Sequence, residues 1–489
     1  MEPKPYTLTP FDHAFPPTFY TVVAISFSLS QPQDAVPALQ TGITALLNHL
    51  PFLTGAVAPS KSSTKANAMD IWPRPGDTSS ILGIRYYPHY RLASIPQSPQ
   101  QGTSDGESTP DLKPEFNYFA TPAPIIRIQL NILTDGAIVC FAVNHMAIDG
   151  MGVGVLLDLL ASCCRGDYPL PTDNRAQELS RQRIRTVSEA YNKTQPLQHD
   201  MNGRTPSNTL DGVFEFEPGN ANATHNFVFA DKPIKQLKRQ CNALLRQQRL
   251  DDRQSKTASA QPSFVSSNDI LTALLWICIN QARSQSKITP CSTTAASQVS
   301  IPINVRNRFC PPLPSTYLGN AVEIGKSRLC LAQLACLDEI KQGDDIIGNA
   351  SVIELLTAAA CGIRGQIAKV DNEHLGQMLR QALNTTDWAT LMVQPCDVVV
   401  SSLREWNVFF LDFGGKLGSV ERLEFMAFFA LEGECLVKPR RPGGGGGGGE
   451  GTWDVMVTLN LADMERLQQS PLLCWVLESD YSVELCRVS

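Results

Sequence analysis

Asn144-His145-Met146-Ala147-Ile148-Asp149-Gly150 decides how the fold of this chain is read. The apolar run 138–143 precedes it and a second, 153–160, follows it. A short dense apolar run followed by apolar residues at helical spacing predicts a buried strand feeding an amphipathic helix. His145 and Asp149, four residues apart, then stand at the joint. An imidazole held by rigid elements on both sides can serve as a general base. The rival reading is a satisfied core histidine. Against it stand the strand-end position, the carboxylate one turn on, and Gly150, Gly152 and Gly154, which clear bulk from the adjoining backbone.

Working outward, residues 125–131 and 137–143 read as strands joined at Thr134-Asp135-Gly136, a hairpin turn signal. Residues 19–29 alternate as a strand does. Residues 36–50 carry Val36, Leu39, Ile43, Leu46, Leu47 and Leu50 at helical spacing. Pro51-Phe52-Leu53-Thr54-Gly55 ends that helix. Residues 97–114 are rich in Ser, Gln, Pro and Gly and predict a surface loop. From 165 to 222 the chain is polar and turn-rich, apart from a helical stretch at 180–191, as a crossover linker would be. The second half resumes with a strand at 224–229 and a basic amphipathic helix at 234–250, whose charge reads as a solvated face. Ser266-Ser267-Asn268-Asp269 is an N-cap signal ahead of the apolar run 270–279. Residues 299–305, 396–402 and 408–412 read as strands, and Pro311-Pro312-Leu313-Pro314 as a rigid turn. Strands and helices alternating in both halves predict α/β layers around mixed sheets.

Composition narrows the function classes. The 489 residues suggest two or three domains or one two-lobed body. At 43% apolar the chain can bury a large core, and the net charge is -6. Lys438-Pro439-Arg440-Arg441 is the longest basic run, so a nucleic-acid footprint is absent. No apolar segment reaches the roughly 18 residues of a spanning helix. Residues 1–10 lack the layout of a secretory signal, and Cys486-Arg487-Val488-Ser489 is no prenylation signal. The fourteen cysteines are scattered, without a C-x-x-C pair, and read as reduced thiols of a cytoplasmic protein with no metal and no disulfide framework. Seven consecutive glycines, 443–449, lack the register and the lysine of a phosphate cradle and read as a flexible hairpin loop.

Gly150-x-Gly152-x-Gly154 invites a dinucleotide reading. Its third glycine comes one position early, and Tyr168-Pro169-Leu170-Pro171 stands where an acidic strand end is needed. Nucleophilic hydrolysis lacks its G-x-S-x-G elbow.

The element His145-x-x-x-Asp149-Gly150 resembles the active-site motif of the BAHD-type, CoA-dependent acyltransferases. Four further blocks resemble that family in order. They are residues 50–55, residues 266–276, the block Asn304-Val305-Arg306-Asn307-Arg308 with Pro311–Pro314 and Tyr317-Leu318-Gly319-Asn320, and Asp412-Phe413-Gly414-Gly415-Lys416. The blocks look most similar to the fungal branch, which includes trichothecene acetyltransferase-like enzymes. The tryptophan of the family's D-F-G-W-G is missing, and Leu417 stands where proline is usual. Asn144 occupies the place where peptide-synthetase condensation domains carry a second histidine, which favours a soluble donor over a carrier protein.

The resemblance implies an α/β fold of two pseudo-symmetric chloramphenicol-acetyltransferase-like lobes with mixed sheets and an active-site channel between them. The expected divisions are an N-terminal lobe at 1–165, a crossover linker at 166–222 and a C-terminal lobe at 223–489. It implies His145 as the catalytic base and Asp149 turned away from substrate and paired with Arg306. Asp412 has a structural role, and Ser401 is a candidate oxyanion donor, with an ordinary strand-end serine as the rival reading. The implied enzyme is a cytoplasmic monomer with no permanently bound cofactor. It takes acetyl-CoA or another acyl-CoA as co-substrate and esterifies a small-molecule alcohol of specialised metabolism such as an alkaloid or terpenoid; an amine acceptor would use the same base. A condensation-like enzyme using a carrier-protein thioester and a non-catalytic small-molecule binder remain the alternatives.

Overall fold

The computed structural model describes residues 4–74, 78–95, 110–191, 222–255, 262–284, 295–394, 396–426, 431–441 and 451–477. The glycine run 443–449 and most of the 97–114 loop lie outside them. The first half runs β1 (Tyr6–Thr7), β2 (Tyr20–Ser28), α1 (Ala35–His49), β3 (Ala56–Pro59), β4 (Met69–Trp72), α2 (Thr78–Ile81), β5 (Leu82–Tyr86), β6 (Ala123–Pro124), β7 (Ile126–Ile132), β8 (Gly136–Asn144), α3 (Gly150–Arg165) and α4 (Asn174–Tyr191). The second half runs β9 (Asn222–Ala230), α5 (Asp231–Ser255), α6 (Ser267–Ser284), β10 (Ala296–Asn304), β11 (Val322–Cys330), α7 (Ala350–Lys369), α8 (Asn372–Asn384), β12 (Val398–Ser402), β13 (Arg422–Phe425), β14 (Glu434–Val437), β15 (Thr452–Asn460), α9 (Leu461–Gln468) and α10 (Pro471–Leu477).

Each lobe is built on a mixed sheet. The first has the order β13-β2-β8-β7-β5, antiparallel except where β5 runs parallel to β7. The second has the order β11-β10-β12-β14-β15-β9, with β12 parallel to both β10 and β14. A small sheet, β1-β4-β3-β6, flanks the first. β8 is buried along its whole length, from Gly136 to Asn144, as a central strand covered on both faces must be. α1 lays Leu39, Ile43, Leu46 and Leu47 against α3. The two helices approach so closely at Gly42 that a Cβ there would strike the Cys164 sulfur. α6 is buried on every side from Asp269 to Ala282, which suits a helix enclosed by other elements. Its start is a reciprocal cap: Asp269 N–H donates to Ser266 Oγ at 3.2 Å and Ser266 N–H to Asp269 Oδ2 at 2.7 Å.

Division by sequence and division by packing differ in one segment. Trp406, Phe413, Leu417, Leu423 and Phe425 pack into the core of the first lobe, and β13 pairs with β2. The second half of the chain thus supplies the edge strand of the first sheet. One expectation is corrected. Residues 408–412 are not a strand; Val408–Phe410 is a 3-10 turn, and Asp412 makes a single bridge to Ser419. The reason is local hydrogen bonding. Phe410 N–H donates to Asn407 O at 2.8 Å and Leu411 N–H to Val408 O at 3.2 Å, so these groups close a turn and are not offered to a neighbouring strand.

No helix among the described residues is long and apolar enough to cross a membrane. The described cysteines are all free thiols.

Candidate active site

The joint between β8 and α3 is held by its own backbone and by short polar side chains. Ala147 and Ile148 donate to the Asn144 carbonyl, each at 3.1 Å. The Asn144 amide donates to Pro17 O at 2.7 Å, and its Oδ1 accepts Met146 N–H at 3.1 Å. Asp149 then adopts the extended conformation of an N-cap, and its Oδ1 accepts Gly152 N–H at 2.7 Å. The start of α3 is therefore closed by a built-in carboxylate, which is the opposite of an open phosphate cradle. Gly152 and Gly154 have packing roles. A Cβ at 152 would run into the Leu318 carbonyl oxygen, and one at 154 would stand 3.0 Å from the Trp406 ring. Gly152→Ala is expected to destabilise the protein by about 1–3 kcal/mol through overpacking. An unchanged thermal unfolding midpoint would refute so close an approach.

His145 is pinned by both of its backbone groups. Its N–H donates to Phe19 O at 2.9 Å, and its carbonyl accepts the Asn320 amide at 2.9 Å. The ring is half-buried. Phe15 lies 3.9 Å from it, centroid to centroid, and Phe19 5.6 Å. Nδ1 is sealed from solvent with no hydrogen-bond partner. Burial lowers the pKa of the ring; the Asp149 charge, the residue's own backbone carbonyl and Asn320 pull the other way. His13 gives the contrast. Its Nδ1 donates to Thr9 O at 2.8 Å and its Nε2 accepts Met69 N–H at 2.9 Å, so both nitrogens are used. Burial takes its pKa to about 4. His13 is a satisfied core histidine, and His145 is not.

Asp149 and Arg306 form a two-pronged ion pair, with Nη1 to Oδ2 at 3.0 Å and Nη2 to Oδ1 at 2.8 Å. The two side chains are 0% and 5% exposed. Such a pair persists in a low-dielectric interior only if the remaining polar sites are occupied. They are: Ala321 N–H donates to Asp149 Oδ2 at 3.0 Å, and Arg306 donates to the carbonyls of Tyr317 and Gly319 at 2.8–3.1 Å. The carboxylate thus ties α3 to the segment following β10, and His145 sits where the lobes meet.

Ser401 is half-buried on β12. Two residues on, Leu403 donates its N–H to Val437 O at 2.9 Å, and its side chain lies 3.1 Å from where a Cβ at Gly150 would be. The end of β12 therefore adjoins the joint. Asp412 is exposed; its Oδ1 accepts Gly414 N–H at 2.9 Å and its carbonyl accepts from Arg165. That is a turn between α3 and the 412–419 loop, apart from the imidazole.

Three contributors carry no signal of their own in the sequence. Asn320, inside the quoted Tyr317–Asn320 block, holds the carbonyls of both His145 and Met146, the latter at 3.1 Å. Its amide also donates to Asp12 Oδ1 at 3.0 Å. Asp12 is fully buried, and that burial raises its pKa against the opposing pull of Thr9, Arg181 and Asn320. The third is the aromatic pair over the ring, Phe15 and Phe19, stacked with centroids 5.7 Å apart.

Comparison with known proteins adds to this geometry. Residues 101–473 match the model of the Transferase family. The chain is 42% identical to "O-acetyltransferase cpsE" of Aspergillus campestris, over 99% of this chain and 98% of that one. It is 30% identical to "Communesin N16 acyltransferase cnsK" of Penicillium expansum, over 97% and 98%. Among solved structures it resembles F. graminearum TRI101 complexed with coenzyme A and deoxynivalenol, with a TM-score of 0.69 at 18% identity, over 95% of this chain and 97% of that chain.

Proposed function

The chain belongs to the Transferase family, and from that premise we propose that it moves an acetyl group from acetyl-CoA to a hydroxyl of a small specialised metabolite, with His145 as the general base. The observation that carries this reading is the imidazole itself: half-buried, pinned at both backbone groups, with its charged form disfavoured by burial. A thioester is already activated, so the acceptor oxygen lacks only nucleophilicity. His145 takes the hydroxyl proton as the oxygen attacks the thioester carbonyl. The C–O bond forms, the tetrahedral oxyanion collapses, and the C–S bond breaks. The imidazolium returns its proton to the departing thiolate of CoA. CoA is a co-substrate here, and the residues described need no resident cofactor for these steps.

Asp149 and Arg306 are positioning residues. Ser401, near the end of β12, is proposed to donate to the oxyanion. The lobes 1–165 and 223–489, joined by 166–222, are proposed as the functional units, with residues 403–426 serving the first. His145, Asp149 and Arg306 come from one chain, so a monomer suffices. The names of the relatives support a fungal specialised metabolite as acceptor.

The test is thiol release from acetyl-CoA by purified protein, with a thiol-trapping dye, a panel of alkaloid and terpenoid alcohols, and mass detection of the ester. A non-catalytic binder releases no thiol, and a carrier-dependent enzyme needs an acyl carrier protein. The same assay reads the base. Burial disfavours the imidazolium, so the acid limb of kcat/KM is expected below 6.5, and a limb above 6.5 would contradict the assignment. The lowering also has a stability sign. As pH falls below 6.5 the unfolded chain takes up a proton that folded His145 resists, so this contribution to stability is lost on acidification.

A further inference from the structure

The second lobe's sheet has two faces. Val398, Val400, Cys435 and Val437 enter the core under the helices. Alternation therefore turns Val399, Ser401, Glu434 and Leu436 to the opposite face. Leu436 and Met456 on that face pack into the first lobe's core, so it is the face that meets the first lobe. Register sets one cross-strand row upon it. Ser300 lies beside Val399, and Val399 beside Glu434. One register step before Cys435 and Val457, Glu434 adjoins Thr458, whose hydroxyl is 2.9 Å from that of Thr224.

Glu434 differs from the carboxylates around it. Glu432 is paired with Arg283 at 2.7 Å, Asp454 with Arg441 at 3.0 Å and Glu424 with Lys438 at 3.2 Å. Glu434 has no ion pair or side-chain hydrogen bond among the described residues. Burial is the cause that pushes its carboxyl up to about 7. In the same row Ser300, 3% exposed, has a hydroxyl without a partner. The other charged groups on this face are Asp454 and Lys438, each already paired, and Lys326 and Arg328 on β11, three strands from Glu434, or at least roughly 14 Å. The row thus holds a half-buried carboxylate and an idle hydroxyl, with no cation of the described residues satisfying them.

Its place suits an acceptor. Val437, three residues along β14, bonds Leu403, whose side chain lies over Gly150 at the start of α3. Three strand residues span roughly 10 Å. A polycyclic molecule offering its hydroxyl to His145 would reach the row with its far end.

We propose that Glu434 and Ser300 form an acceptor subsite that receives a protonated amine, so that the alcohol this enzyme esterifies is an amino alcohol. This rests on the transferase reading above. The ammonium supplies the missing counter-charge to Glu434 and a donor to the Ser300 hydroxyl oxygen, and both gains grow as the bound molecule excludes water.

Calorimetric titration of the full chain in the presence of CoA tests it, with tryptamine as the cationic probe and N-acetyltryptamine as its neutral counterpart. Wild-type protein should bind tryptamine at least about tenfold more tightly, the worth of one charge-assisted hydrogen bond. Glu434→Gln should level the two affinities, Glu434→Asp should keep the preference, and Ser300→Ala should weaken tryptamine binding about threefold. Equal affinities in the wild type, no binding of either probe, or a preference surviving in Glu434→Gln would overturn the subsite. Acetyl-CoA binding is measured on the same samples. Its presence without an amine preference removes the subsite alone, whereas its absence removes the transferase reading.

Discussion

Replacing His145 by alanine is expected to lower kcat/KM for ester formation by about 10²–10⁴-fold, the usual worth of a positioned proton transfer. The fold should survive. The joint is held by the backbone bonds of His145 to Phe19 and Asn320 and by the Asn144 and Asp149 side chains, and none of these uses the imidazole. Removing the ring leaves a space beneath Phe15 at a half-buried position, which costs little compared with a core truncation. The measurement is steady-state thiol release beside circular dichroism and thermal unfolding of the same preparation. A folded variant with wild-type turnover would show that another group takes the proton. His145→Gln sharpens the result: it approximates the shape and polarity of the ring without its basicity, so it should be as inactive as the alanine variant.

Breaking the Asp149–Arg306 pair should cost more stability than any other substitution considered. Asp149→Asn leaves the guanidinium, 5% exposed, without a counter-charge, and loss of one partner of a buried pair costs about 3–5 kcal/mol. Denaturant or thermal unfolding reads this directly. Two effects are mixed in that number, because Asp149 also caps α3 and accepts from Ala321. A double-mutant cycle separates them. Arg306→Met in the Asp149→Leu background should restore much of the loss if the unpaired charge dominates, and none if the cap dominates. The catalytic consequence is indirect. Asp149 holds α3 against the 317–321 segment, whose Asn320 carries the His145 carbonyl. A shift there moves the base, so kcat should fall while KM for acetyl-CoA holds. A rise in KM with unchanged kcat would place Asp149 in donor binding instead.

How much of this was legible in the chain follows from the range of each signal. The β8–α3 joint could be read because its evidence is local: a dense apolar run, a capping carboxylate and helical spacing all fall within about two dozen residues. The N-cap of α6 and the β7–β8 hairpin were legible for the same reason. Residues 408–412 misled because five hydrophobic-rich residues fit a strand or a tight turn equally well. Only the local backbone bonds of residues 407–411 settled it. Arg306 was reached by resemblance; no periodicity marks a residue that meets its partner 157 positions away.

By itself, then, the sequence determined the hairpin and helix around one joint, the capped start of α6, and a lone imidazole beside a carboxylate. These depend on propensity and spacing over a few turns of chain, which the residues carry with them. The tertiary structure decided the rest. It brought Asp12 to Asn320 across 308 residues, lent β13 to the first lobe's sheet, and set Glu434 and Ser300 in one row facing the other lobe. Such neighbours are chosen when two lobes close on each other, and the free energy that chooses them comes from burying both surfaces at once, which leaves no periodic mark in either segment alone.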